Sequence, residues 1–368
     1  LIAQVGLFVA GLVALVAGAE LLVRGASRLA LAFGISPLVV GLTVVAFGTS
    51  APEMAVSVGA VLGGSTDLAL GNAVGSNVFN VLFILGLAAL ITPLAVHVQV
   101  IRQEAPILIG GALLLLVLSL DGRIALFDSA LLFVLLIAYT VFLVLQSRAQ
   151  NAAAGGQAAG DYAQELRPAE PGRSNSRPWV QGLLVLAGLV LLVGGSQALV
   201  GAAVHFAQAL GVSDVVIGLT IVAAGTSLPE VAASVMAAAK GERDIAVGNV
   251  VGSCVFNIFG VIGLAGLAAA GAGLDGLAVP EAVRHFDLWV MLAALVACLP
   301  VFLSGREIAR WEGAVFLLYY VAYAAYLVLQ AQHHAALPAF SNVMLGFVIP
   351  LTLVTLVVAM LPRPTRAA

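Results

Sequence analysis

Glu53 and Glu230 each sit in the middle third of an apolar stretch long enough to cross a membrane, and of the 18 acidic residues only these two lie so deep. A carboxylate there costs about 2.5–3.5 kcal/mol on insertion scales, so each needs a compensating partner. The neighbouring residues suggest one. Thr49 and Glu53 stand four residues apart on one helical face, with Ser50 beside them, and Thr226, Ser227 and Glu230 repeat the group. Ser76 with Asn80, and Ser253 with Asn257, add hydroxyl and amide oxygens at the same i, i+4 spacing. Pro52 and Pro229 each remove a backbone donor and disfavour the hydrogen bond of a carbonyl about one turn earlier. In lipid such a carbonyl must find another partner, and a metal ion could use those of Ala46 or Ala223 and their neighbours. The candidate donors are therefore all oxygens, unless Cys254 turns inward. Such a set suits a hard cation, and a flexible shell of six to eight oxygens suits Ca²⁺. Zinc or copper would want imidazole or sulfur.

Taken singly, these residues have plainer explanations. A lone Ser or Thr in a membrane helix usually bonds back to its own backbone, and a Gly-Ser-Asn stretch usually serves packing. Repetition changes that balance. Gly41-Leu-Thr-Val-Val-Ala-Phe-Gly-Thr-Ser50 returns at 218–227, and Gly71-Asn-Ala-Val-Gly-Ser-Asn-Val-Phe-Asn80 returns at 248–257. Both pairs lie 177 residues apart and match at eight of ten positions, so the chain holds a duplicated unit.

The elements that carry these blocks are membrane helices. The chain has 368 residues, 62% hydrophobic and 9% charged, against about a quarter charged in a soluble domain. Apolar runs of about 20 residues recur along it. Eleven helices are expected, at about 4–32, 36–62, 68–93, 105–120, 124–146, 179–210, 214–239, 244–270, 286–304, 308–330 and 340–361. With the N-terminus outside, alternation places 13 of the 15 Lys and Arg on the inner side and leaves Arg123 and Arg284 outside, as the positive-inside bias requires. No cleavable leader is expected: the first apolar stretch runs on into Glu20–Arg24 without a small-residue cleavage pattern. Glu20, four residues before Arg24, is expected to form an interfacial ion pair.

Five spans precede the second copy, and an odd number makes it enter the membrane from the opposite side. The fold class is thus an all-α polytopic membrane protein with two inverted five-helix repeats, residues 1–146 and 179–330. Residues 147–178 form a cytoplasmic linker, and 331–368 an additional helix and tail. Inverted repeats of this kind place a binding site at their interface near the midplane. The net charge of −3 gives no reason to expect nucleic acid, and Cys254 and Cys298 form no spaced pair.

The segments Gly-Thr-Ser-Ala-Pro-Glu at 48–53 and Gly-Thr-Ser-Leu-Pro-Glu at 225–230, with the two Gly-Asn-x-Val-Gly-Ser-x-Val-Phe-Asn blocks, resemble the calcium/cation antiporter superfamily, in particular prokaryotic sodium/calcium exchangers. The resemblance covers about residues 4–330. It implies an antiporter of the inner membrane exchanging Na⁺ for Ca²⁺ by alternating access, with the ions as cargo and no cofactor. Glu53 and Glu230 would be the central ligands, and Thr49, Ser50, Ser76, Thr226, Ser227 and Ser253 would complete the ion cluster, with Asn80 and Asn257 at its waist. Helices 1 and 6 would slide as a gate. Asn257 stands where some relatives have Asp, which argues against potassium dependence. Proton-coupled relatives tend to carry a Glu-His pair where this chain has Ala73-Val-Gly-Ser76, so sodium coupling is favoured and a proton-coupled Ca²⁺ antiporter is the alternative. A passive channel would not need inverted pseudo-symmetry, and an intramembrane zinc protease would need a His-Glu-x-x-His pair that the chain lacks.

Overall fold

The computed structural model describes residues 2–33, 35–153, 178–209 and 223–360. Helices α1 (Ile2–Phe33), α3 (Thr66–Ile91), α4 (Val100–Leu118) and α5 (Leu126–Ala153) belong to the first half, together with a broken α2 (Pro37–Thr49 and Ala51–Leu62). The second half holds α6 (Pro178–Ala209), a broken α7 (Ala223–Thr226 and Leu228–Ala239), α8 (Arg243–Gly271), α9 (Val283–Leu303) and α10 (Arg310–Ala331). A final α11 runs from Leu337 to Met360. Among the described residues nine helices are long and apolar enough to cross a membrane, and α2, bent by 41°, makes a tenth. The shorter apolar stretch Leu228–Ala239 stands where the remaining span is expected. The first part of that span, 214–222, and linker residues 154–177 lie outside the described residues.

The ends of two helices differ from expectation for one physical reason. Polar residues 102–104 suggest a loop before a helix at about 105, yet α4 starts at Val100 through a π-helical turn, Val100–Glu104. Glu104 is buried there and fully engaged, accepting from Gln99, Gln103 and Tyr139 at 2.9, 2.8 and 2.7 Å. A carboxylate with three donors no longer needs water. α9 opens the same way at Val283–Asp287, where Asp287 accepts from Tyr323 of α10 at 2.8 Å. α5 also runs seven residues past the expected end, which shortens the linker.

Two small antiparallel ribbons tie the halves together. β1 (Leu94–Ala95), after α3, pairs with β4 (Glu307–Ile308), after α9. β2 (Arg123–Ile124), after α4, pairs with β3 (Leu277–Ala278), after α8. Each ribbon joins loops that the charge pattern puts on one side of the membrane: Arg102 and Arg306 lie near the first, Arg123 and Arg284 near the second.

α1 and α6 pack antiparallel along most of their length. Each has 32 residues, about 48 Å at 1.5 Å per residue. That exceeds a hydrocarbon core of about 30 Å, so both are long enough to span it with tilt or to reach beyond it. Their seam follows a heptad stripe, Gln4-Gly11-Gly18-Gly25 against Gln181-Gly188-Gly195-Ala202, and this too repeats at an offset of 177. A Cβ added to Gly18 would lie 2.8 Å from the Gly188 carbonyl oxygen, and one on Gly11 2.8 Å from that of Gly195. Only glycine permits that approach of the two backbones.

The two copies do not pack alike. α1 lies along Leu228–Ala239 of α7, whereas α6 hardly touches the related Ala51–Leu62 of α2. Ala233 is accordingly 1% exposed and its counterpart Val56 49%. Glu20 of α1 fastens the packed side, with Arg24 Nε at 2.5 Å and Lys240 Nζ at 2.6 Å. The positions related to Glu20 and Lys240 are Gln197 and Gly63, which carry no charge.

Candidate cation site

The site forms where α2 and α7 break. At Ser50 and Ser227 the backbone leaves helical dihedrals, with φ/ψ of −82°/2° and −90°/8°. Pro52 and Pro229 sit at the second position of the helices that follow, where a missing N–H costs little. The break turns each serine hydroxyl across the interface between the repeats. Ser50 Oγ donates to Glu230 Oε1 at 3.1 Å, and Ser227 Oγ donates to Glu53 Oε1 at 2.8 Å. Ser227 Oγ also lies 3.3 Å from Ser76 Oγ. Both glutamates are 1% exposed, within electrostatic reach of each other.

Each carboxylate uses one oxygen in this way and leaves the other buried without a protein partner. Glu53 Oε2, Glu230 Oε2, Asn80 Oδ1, Asn257 Oδ1 and Ser253 Oγ are all buried and unpartnered. Orphan acceptors are rare in protein interiors because each forfeits its hydration. Here five stand on the two repeated motif pairs, two of them on carboxylates. Asn80 and Asn257 each fall in a π-helical turn, Phe79–Leu85 and Phe256–Val261, a local widening of the helix frequent at functional positions.

The remaining candidates are placed less simply. Thr49 Oγ1 donates to Asn249 Oδ1 at 3.1 Å and lies 3.4 Å from the Ala46 carbonyl. That carbonyl also accepts from the Ser50 amide at 2.9 Å, so it is not the bare group that the proline argument anticipates. A proline at 229 withdraws the donor from the carbonyl four residues back, Gly225. Ser196 of α6 supplies a replacement, 2.6 Å from the Gly225 oxygen. The residue related to Ser196 in α1 is Ala19, which has no hydroxyl. Thr226 is half-buried beside Ser227, and Ala223 opens the described part of α7.

A family model described as "Sodium/calcium exchanger protein" matches residues 3–145 and 180–329. The chain belongs to the sodium/calcium exchanger family. CaxA of Alkalimonas amylolytica is 39% identical over 85% of this chain and 95% of its own length. The sodium/calcium exchanger MaX1 of Methanosarcina acetivorans is 34% identical over 86% and 96%. The solved structure of the sodium-calcium exchanger NCX_Mj, soaked in 10 mM Na⁺ without Ca²⁺, superposes with a TM-score of 0.72 at 30% identity, covering 88% of this chain and 98% of that one. The chain is a multi-pass membrane transporter, a cation antiporter and not an enzyme.

Several residues at the candidate site escape a search for ligands. Asn72 Nδ2 donates to Ser57 Oγ at 3.0 Å and lies 3.4 Å from the Glu53 carbonyl; Asn249 Nδ2 reaches Ser234 Oγ at 2.8 Å and the Glu230 carbonyl at 3.4 Å. These amides brace the broken helices against α3 and α8. Their signal was the Gly-Asn pair that opens each repeated block. Asn77, which accepts from Asn257 Nδ2 at 3.1 Å, has no repeated counterpart, since Cys254 stands at the related position.

Proposed function

We propose that the chain exchanges Na⁺ for Ca²⁺ by alternating access at this site, with Glu53 and Glu230 as the central ligands. The observation that carries the reading is the set of five buried, unpartnered oxygens, two from carboxylates, at the meeting of the inverted repeats. Two carboxylates neutralise one Ca²⁺. Thr49, Ser50, Ser76, Asn80, Thr226, Ser227, Ser253 and Asn257 supply further oxygens when their present hydrogen bonds rearrange. The Ala46 carbonyl, which accepts from the Ser50 amide and the Thr49 hydroxyl, turns a lone pair to an ion when Thr49 Oγ1 withdraws, and Ala223 occupies the related position.

The unequal packing of the repeats suggests the direction in which the site opens. α1 closes the side formed by Leu228–Ala239, and Ala51–Leu62 is left uncovered. With the N-terminus outside, as the basic residues favour, the closed side is cytoplasmic and the site faces outward. The linker and C-terminus then lie inside. The bacterial relative YrbG of Escherichia coli, 36% identical over 68% of this chain, is named an inner membrane protein, and the same membrane is proposed here. Residues 1–146 and 179–330 act as the two repeats, and α11 lies outside that ten-helix core. For three Na⁺ per Ca²⁺, a tenfold Na⁺ gradient releases about 4.2 kcal/mol. One net charge crossing 100 mV adds about 2.3 kcal/mol. Together they support a Ca²⁺ gradient of roughly four to five decades.

The test is equilibrium binding of radiolabelled Ca²⁺ to the purified protein, titrated with Na⁺ at constant ionic strength. Displacement by Na⁺ with a Hill coefficient above one supports a shared site holding several Na⁺. Indifference to Na⁺, with displacement on acidification, would transfer the function to proton coupling.

A further inference from the structure

An asparagine side chain has two unlike ends, and only one suits a cation. Oδ1 can ligate a positive ion; Nδ2 presents N–H dipoles that repel it. The end that faces the carboxylates therefore depends on what holds the other. Asn257 Nδ2 donates to Asn77 Oδ1 at 3.1 Å. Asn77 is held in turn, its Nδ2 lying 3.3 Å from Met291 Sδ of α9. Asn77 is 1% exposed and Met291 fully buried, so solvent offers neither an alternative partner. With Nδ2 engaged, Asn257 Oδ1 is the end left buried and unpartnered, like Glu53 Oε2 and Glu230 Oε2.

The two repeats differ at this point. The residue related to Asn77 is Cys254, whose thiol contacts Asn80 but is only a weak acceptor, so Asn80 is held less firmly than Asn257 is by the Asn77 amide oxygen. The amide acceptor is thus present in one repeat only, and a weaker thiol stands in the other. We propose that Asn77 is a positioning residue for the cation site: it orients the Asn257 amide so that its oxygen faces the ion, and Met291 orients Asn77. The proposal rests on the cation-site reading above.

The experiment measures radiolabelled Ca²⁺ binding to the purified full-length protein, using Asn77→Leu, which keeps the branching and heavy-atom count of the side chain and removes the acceptor. Losing one oriented ligand is expected to weaken binding about tenfold. The decisive comparison repeats the substitution with Asn257→Asp present. A carboxylate offers an oxygen whichever way it rotates, so the cost of Asn77→Leu falls to within about twofold. Wild-type affinity for Asn77→Leu would overturn the proposal. So would an equal loss in both backgrounds, which would mean that Asn77 only packs. Should Asn77→Leu not yield folded protein, Met291→Leu conserves volume and decides: about threefold weaker binding supports the proposal, and unchanged binding overturns it. Glu53→Gln is the control for the site itself. If it leaves Ca²⁺ binding unchanged, the cation-site reading fails; if it abolishes binding while Asn77→Leu and Met291→Leu do nothing, only this inference fails.

Discussion

Substituting Glu53 with Gln should move ion affinity and apo-protein stability in opposite directions. The side chain keeps its shape, and its carbonyl oxygen still accepts from Ser227 Oγ, now at 2.8 Å from Oε1. What changes is the second oxygen, buried without a partner beside Glu230. Removing one partner of a buried charge pair costs about 3–5 kcal/mol. The Ca²⁺ dissociation constant should therefore rise by roughly two to four decades. Without Ca²⁺ the same change removes one of two neighbouring buried carboxylates, so the ion-free protein should melt at a higher temperature than wild type. Thermal unfolding of the purified protein with and without Ca²⁺ reads both effects. At a Ca²⁺ concentration about 100-fold above its dissociation constant, wild type gains about 2.7 kcal/mol. Glu53→Gln should gain no more than about 0.4 kcal/mol at that concentration, from a higher starting point. A Ca²⁺-induced shift equal to that of wild type would refute the ligand role of Glu53.

Other substitutions test the scaffold. Gly188→Val places a Cβ 2.6 Å from the Leu22 amide nitrogen and should separate α1 from α6; unfolding should reveal about 1–3 kcal/mol of lost stability, with transport several-fold slower. Val56→Cys should react with a membrane-impermeant thiol reagent added outside, whereas Ala233→Cys should not; the reverse pattern would contradict the outward opening. The native Cys254 and Cys298 are buried and should contribute little background. Lys240→Gln removes a partly exposed ion pair worth about 0.2–1 kcal/mol, so it should raise the inner-side accessibility of Ala233→Cys by up to about fivefold. Tyr139→Phe leaves Glu104 short of one donor and should lower stability by about 1–3 kcal/mol, with Ca²⁺ affinity unchanged in the binding assay.

The helices and the central carboxylates were legible because both rest on strong local signals. Long apolar runs give spans, and a mid-membrane glutamate repeated at a fixed offset needs a reason. The serines at the helix breaks were legible for the same cause, since Ser50 and Ser227 sit two residues before prolines in copied motifs. What escaped depends on tertiary partners. Glu104 looks like a loop residue until Tyr139, 35 positions away, supplies a donor. The Ala46 carbonyl looks free until the Ser50 amide is seen to reach it, and the carbonyl that Pro229 does deprive is served by Ser196 from a distant helix. The heptad glycines of α1 and α6 were present in the sequence, but their meaning depends on the antiparallel seam. Asn77 left no signal in the repeat because its counterpart is a cysteine.

Ca²⁺ uptake into proteoliposomes loaded with Na⁺, compared with K⁺-loaded vesicles and vesicles carrying a pH gradient, tests the proposed exchange most directly. The result expected is uptake that requires internal Na⁺, saturates with Ca²⁺ and disappears in Glu53→Gln and Glu230→Gln. Uptake driven by the pH gradient and indifferent to Na⁺, or near-normal uptake by either glutamine variant, would contradict it.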